Sequence, residues 1–182
     1  TFDDVPLTMS GFNMPLGEPV AIGGRLRDRL DVHVYNHDPS LAPPGRSVVV
    51  SMIGSDYGYW KKLREIPDQY RAAKEKTAHQ VIAALDRRWP GFASQVEMWD
   101  VATPVTFHRY AGNWQGSFEG WMITPGKVTL QMKKTLPRLD RFYMAGQWVA
   151  PPGGIPSAAF SARSVIQIIC KRDKKRFETS VP

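Results

Sequence analysis

The sequence predicts an α+β fold, and three observations predict it. A run at 31–35 alternates apolar and polar residues, and a second at 47–53 is apolar almost throughout, which reads as two neighbouring strands forming an antiparallel pair. Between residues 68 and 89, Tyr70, Ala73, Thr77, Val81, Leu85 and Trp89 recur every three or four positions, the period of a helix with one apolar face. The stretch 141–171 then reads as a short apolar strand, a glycine break, a Pro/Gly-rich loop and a second helix. The chain has 182 residues, 42% of them hydrophobic, enough to bury one sizeable core.

Residues 1–30 carry Gly11, Pro15, Gly17, Pro19, Gly23 and Gly24 with no sustained period, and are expected to be loops with room for one short strand. Val32 and Val34 then alternate with Asp31, His33 and Tyr35 up to an Asn/Asp/Pro turn, and Ser47–Ile53 follows as a more fully buried strand. Residues 54–69 read as a polar, aromatic connection. The helix from Asp68 ends near Trp89, where Pro90-Gly91 stops it. Residues 95–101, QVEMWDV, alternate well enough to predict a third strand. Thr103 followed by Pro104 is a helix start, with Thr as the cap and Pro in the first turn, and the helix should run to about Ala111.

Gly112, Gly116 and Gly120 break the next stretch into a loop that carries Trp114, Phe118, Trp121 and Met122. Apolar bulk on a glycine-rich loop either plugs a core or lines a lipophilic cavity. Phe142–Ala145 are too apolar for a solvated edge strand and predict a buried one. Five of the six residues from 151 to 156 are Pro or Gly, so the loop has few conformations while Gly153 and Gly154 allow close approach. The final helix should start near Ser157 with small side chains that leave its first amides accessible, and continue with Val165, Ile166 and Ile169 on one face. Such a helix start favours electron-rich or anionic groups.

The run AGQWVAPPGGIPSAAFSAR resembles the C-terminal flavin-contacting motif of the FAD-dependent phytoene desaturase and carotenoid isomerase-like oxidoreductases, a branch of the amine-oxidase-like superfamily. The resemblance implies that Gly146, Gln147, Gly153, Gly154, Ile155, Pro156 and Ala158 contact FAD, with the helix start facing the pyrimidine edge of the isoalloxazine. Amides there would favour the negative charge a flavin gains near N1 and its C2 carbonyl on taking up a hydride. The family often has an acidic residue after the strand glycine; Gln147 is uncharged but can still hydrogen-bond a hydroxyl or phosphate. The passage DPSLAPPG with the apolar strand after it is similar to the family's substrate-domain sheet. ATPVTFHRYAGNWQGSFEGW resembles the segment that caps the substrate cavity, which implies that Trp114, Phe118, Trp121 and Met122 line it. The resemblance spans residues 31–171.

It implies a division into a substrate-binding portion, 1–135, and a C-terminal segment of a Rossmann-like FAD-binding domain, 136–182, contributing its last strand and helix. No Gly-x-Gly-x-x-Gly is present, although the family holds the adenosine diphosphate on that motif. The chain is therefore expected to be the C-terminal part of a longer FAD-dependent oxidoreductase, inactive by itself. Its partners would be the missing N-terminal dinucleotide-binding half and a lipophilic small-molecule substrate, with no nucleic acid. The resemblance names no catalytic residue, because the flavin carries the hard step.

Other chemistry finds no support in the residues. His33, His37, His79 and His108 lack zinc-ligand spacing, so no metal is expected. Gly-x-Ser-x-Gly is absent, and Gly126-Lys127 lacks the rest of a phosphate loop. Cys170, the single cysteine, excludes an internal disulfide, suits a reducing compartment and reads as core filler. No targeting signal or membrane-length apolar run occurs, which reads as a soluble cytoplasmic protein, at most peripheral to a membrane. The net charge of +7 concentrates at Arg25, Arg27 and Arg29 and in the tail from Lys171 to Arg176. With Tyr57–Arg64, these clusters carry the alternative reading, a non-enzymatic basic domain for RNA or an anionic membrane surface.

Overall fold

The computed structural model describes residues 11–122, 125 and 132–179. The chain forms two compact units, 1–116 and 117–182, dividing upstream of the functional boundary expected at 135. The first ten residues of the expected N-terminal loop lie outside the described residues.

The first unit is built on a three-stranded antiparallel sheet in the order β1 (Gly11–Ile22), β2 (Arg25–Val34), β3 (Val49–Met52). The expected β2–β3 pair forms, with Val32 opposite Ser51 and Val34 opposite Val49. The expectation of loops before residue 31 is corrected, because Gly11–Ile22 and Arg25–Val34 make a long hairpin. Gly23 and Gly24 turn it with φ of 57° and 79°, both in the left-handed region that a two-residue hairpin requires. A period was present: Phe12, Met14, Leu16, Val20 and Ile22 all pack in or against the core. Pro15, Gly17 and Pro19 obscured it, and β1 tolerates them because it is an edge strand whose register shifts between Pro15 and Val20.

The core joins Met14, Ile22, Leu30, Val32 and Val34 of the sheet to Ala84 and Leu85 of a long helix. Full burial of each larger aliphatic side chain contributes roughly 1.5–3 kcal/mol. β3 is less buried than expected, since Val50 and Met52 face out.

Residues 54–69 are also corrected, because Tyr57–Arg64 form a helix, α1. Asp56 caps it, its carboxylate accepting from the Tyr59 amide at 2.7 Å, and Trp60 is buried with its indole N–H donating to Ser55 Oγ. Ile66 and Pro67 then turn the chain straight into α2 (Pro67–Arg88), the predicted long helix. The third strand does not form. Residues 96–101 are irregular and join neither free edge of the sheet; Met98 is 87% exposed, so the alternation has no buried face to hold it as a strand. Lys74 instead ties Asp100 to α2 at 3.0 Å.

The helix predicted after Thr103 is α3 (Pro104–Ala111). Thr103 and Thr106 form its reciprocal cap, and the buried Thr103 hydroxyl also bonds the Tyr70 phenol at 2.7 Å, joining α2 to α3.

In the second unit, the buried strand predicted at Phe142–Ala145 is corrected to a single bridge, Thr135 with Tyr143, supported by the Met144 amide donating to Lys134 O. Phe142 is 45% exposed. A buried strand needs a hydrogen-bonded neighbour on each edge, and among the described residues this segment has only the short contact with 134–135. The last helix, α4 (Gly154–Arg172), starts three residues before the expected Ser157. Its buried face is Ser161 and Val165, whereas Ile166, expected on that face, is exposed.

Candidate functional site

The second unit places the predicted cofactor residues in one loop and in the start of the helix that follows it. After Tyr143 the chain turns at Gly146 (φ 122°), where the Val149 amide donates back to Gly146 O at 3.2 Å. Val149 is buried and anchors the turn, and the loop passes through a cis Pro151–Pro152 bond to Gly153 and the first turn of α4. Gly153 is the N-cap residue and no side chain caps the helix; Pro156 has no N–H, so Gly154 and Ile155 carry the first-turn amides. The first turn holds no acidic residue, while Lys171 and Arg172 lie in the last, where cations suit the helix dipole.

Ser161 holds this loop to the helix. Its hydroxyl accepts from the Gly146 amide at 2.8 Å and donates to Ala158 O at 2.8 Å, with Gly146 O at 3.3 Å. In the sequence Ser161 is one more small side chain near the start of the helix. A serine three positions after Ala158, inside an alanine-rich helix, was the available signal, because alanine is the better helix former there.

The aromatic segment before residue 123 packs on the same loop. A Cβ on Gly120 would lie 2.5 Å from Gln147 O and 3.0 Å from Pro152 O, and one on Gly153 would lie 2.4 Å from Gly120 N. Only glycine permits this backbone contact. The Trp121 indole N–H donates to Trp148 O at 3.0 Å, and the two rings meet edge-to-face at 5.5 Å. Phe118 and Met122, on either side of this anchor, remain 57% and 86% exposed. Three of the four residues expected to line a cavity thus share one segment, and the fourth, Trp114, is an exposed residue of the first unit.

The glycines answer differently to the question of what could approach them. The space beside Gly153 is filled by Gly120. Among the described residues, a Cβ on Gly146 would meet nothing within 4 Å, and one on Gly154 would meet only Pro156 Cδ at 3.8 Å and Glu119 Oε1 at 3.9 Å. Gly146, Gly154 and the start of α4, which no side chain caps, thus leave room beside the loop among the described residues, with Ile155 and Pro156 exposed beside them. Gln147 and Ala158 are half-buried.

The basic residues are more dispersed. Arg25 pairs with Asp56 at 3.5 Å, Arg29 with Asp28 at 3.4 Å, and the Arg27 guanidinium donates to Gly54 O. Arg64 lies 5.9 Å over the Tyr70 ring. Among the described residues no group of His, Cys, Asp and Glu could hold a metal ion, and no helix is long and apolar enough to cross a membrane.

The chain is similar over 125 residues, 68% of its length, to three plant proteins. The chloroplastic prolycopene isomerase of Arabidopsis thaliana is 30% identical over that stretch, and those of Daucus carota and an Oncidium hybrid cultivar (prolycopene isomerase 1) are each 28% identical. The chain spans about a fifth of the length of these curated relatives. No family model matches the chain. No solved structure matches it.

Proposed function

We propose that this chain is the C-terminal portion of an FAD-dependent oxidoreductase or isomerase of the phytoene desaturase and carotenoid isomerase-like family, acting on a lipophilic, conjugated substrate. The observation that carries this reading is the glycine loop 146–154 running into an uncapped helix, open at Gly146 and Gly154. The similarity to prolycopene isomerases supports it independently of the loop's geometry.

Gly146, Gln147, Gly154, Ile155, Pro156 and Ala158 would hold the flavin end of FAD, which when bound supplies hydride chemistry. Gly146 and Gly154 admit the ring by having no side chain in its way. The free amides of α4 favour negative charge at the edge they face, without a proton having to move. Phe118 and Met122 offer apolar surface on the segment fastened to this loop by Gly120 and Trp121, so substrate and cofactor contacts are mechanically joined. The adenosine and diphosphate would be bound by an N-terminal half carrying a glycine-rich dinucleotide motif.

Removing those contacts takes away most of the binding free energy. The 182-residue chain is therefore expected to purify colourless and to show no tight FAD binding by calorimetry, whereas a polypeptide of the relatives' length that contains it purifies yellow. Stoichiometric, tight FAD binding by the 182 residues alone overturns the reading of a partial flavin site. A long polypeptide that takes up no FAD overturns the flavin.

A further inference from the structure

Ser161 is 1% exposed and, with Thr103, is one of two buried polar side chains among the described residues. Thr103 is explained by the cap it makes for α3. Ser161 lies in the interior of α4, where a serine gains nothing over alanine by helix propensity, and a buried hydroxyl must be satisfied. Both requirements are met by one arrangement. The hydroxyl hydrogen goes to Ala158 O in the preceding turn, and the oxygen receives the amide of Gly146, fifteen residues away across the loop.

This contact spans the two backbone surfaces that the flavin reading assigns to the cofactor, the glycine after Tyr143–Ala145 and the start of α4. Among the described residues no strand ladder fixes that glycine, since the segment before it has a single bridge. Resting on that reading, we infer that Ser161 is the positioning residue of the cofactor loop, its hydroxyl setting the Gly146 peptide against the first turn of α4 so that both surfaces meet one flat ring. Ser161 touches no reacting atom in this role. It acts through Gly146, whose carbonyl is held by the Val149 amide and whose N–H is held by Ser161.

The test uses a polypeptide of the relatives' length, loaded with FAD, and three variants. Ser161→Ala keeps the volume of the site and removes the hydroxyl. It should weaken FAD binding about tenfold, the size of one well-made hydrogen bond, and shift the visible flavin band. Ser164→Ala is the control: Ser164 lies on the same helix and spends its hydroxyl on Phe160 O at 2.9 Å, so FAD affinity and spectrum should stay within about twofold. Should Ser161→Ala fail to fold, Ser161→Cys takes its place, because a thiol bonds more weakly at the same position; about threefold weaker FAD binding is then expected.

A folded Ser161 variant that lowers the apoprotein's Tm yet keeps the parental FAD Kd and flavin spectrum overturns the proposal, because Ser161 is then only structural. An equal loss in Ser164→Ala also overturns it. An unaltered polypeptide that binds no FAD defeats the flavin reading itself, a result separable from the other two.

Discussion

At the scale of single residues, the second unit depends on pairs of groups that have no freedom to change size. Gly120 and Gly153 touch backbone to backbone, and an added methyl on Gly120 would enter between Gln147 O and Pro152 O, which cannot swing aside as a side-chain tip can. Gly120→Ala is expected to lower stability by about 1–3 kcal/mol, the usual cost of forcing one carbon into a packed site. Chemical denaturation followed by the fluorescence of Trp121 and Trp148 measures it, and an unchanged midpoint would show that the two segments do not meet as described. Gly154→Val should behave differently. The space there is open, so the cost is that of a β-branched residue at φ 79°, and the flavin content of the long polypeptide should fall more than its stability does.

At the scale of elements, short helices form where a side chain supplies the hydrogen bond that the backbone lacks. Asp56 does this for the eight residues of α1, and the Tyr59 amide it accepts, with the Arg25 guanidinium beside it, holds its carboxyl below the ordinary carboxylate value. Because the folded pKa is the lower one, the cap's contribution is complete above the unfolded pKa and is lost as pH falls through the folded value. Asp100 follows the same rule, lowered first by the Lys74 ammonium and then by the Val101 amide. Asp56→Ala is expected to lower the Tm at neutral pH, because the Tyr59 amide loses its acceptor. The difference from the parent should shrink in thermal melts taken below about pH 4, as the parental carboxylate takes up its proton. A penalty that does not change with pH would mean that Asp56 acts through its shape and not its charge.

At the scale of the molecule, the first unit is held by a core and the second by a loop clasped to a helix. Leu30 is 1% exposed between sheet and α2, and Leu30→Ala should cost about 2–5 kcal/mol. Phe118, 57% exposed, should cost within about 0.5 kcal/mol when replaced by Ala. In the long polypeptide the same change should alter turnover or substrate preference and leave flavin binding intact. A stability loss for Phe118→Ala as large as that for Leu30→Ala would instead make Phe118 a core residue.

The sequence by itself determined the elements whose signals are local. The period of α2, the Thr103-Pro104 start of α3 and the β2–β3 pair were legible because periodicity and caps are written in consecutive residues. So was the membership of the glycine loop, through its motif, since Gly146, Gly153 and Gly154 carry their meaning in their own backbone freedom. Tertiary structure decided the rest. Whether Gly11–Ile22 forms a strand depends on an edge position that tolerates Pro15 and Pro19, and whether 96–101 or 142–145 does depends on a neighbour to receive its hydrogen bonds. The contacts of Ser161 with Gly146, and of Gly120 with Gly153, join residues far apart in the chain. Hydrogen-bond partners and steric room are properties of the folded space around a residue, and no spacing along the sequence encodes them.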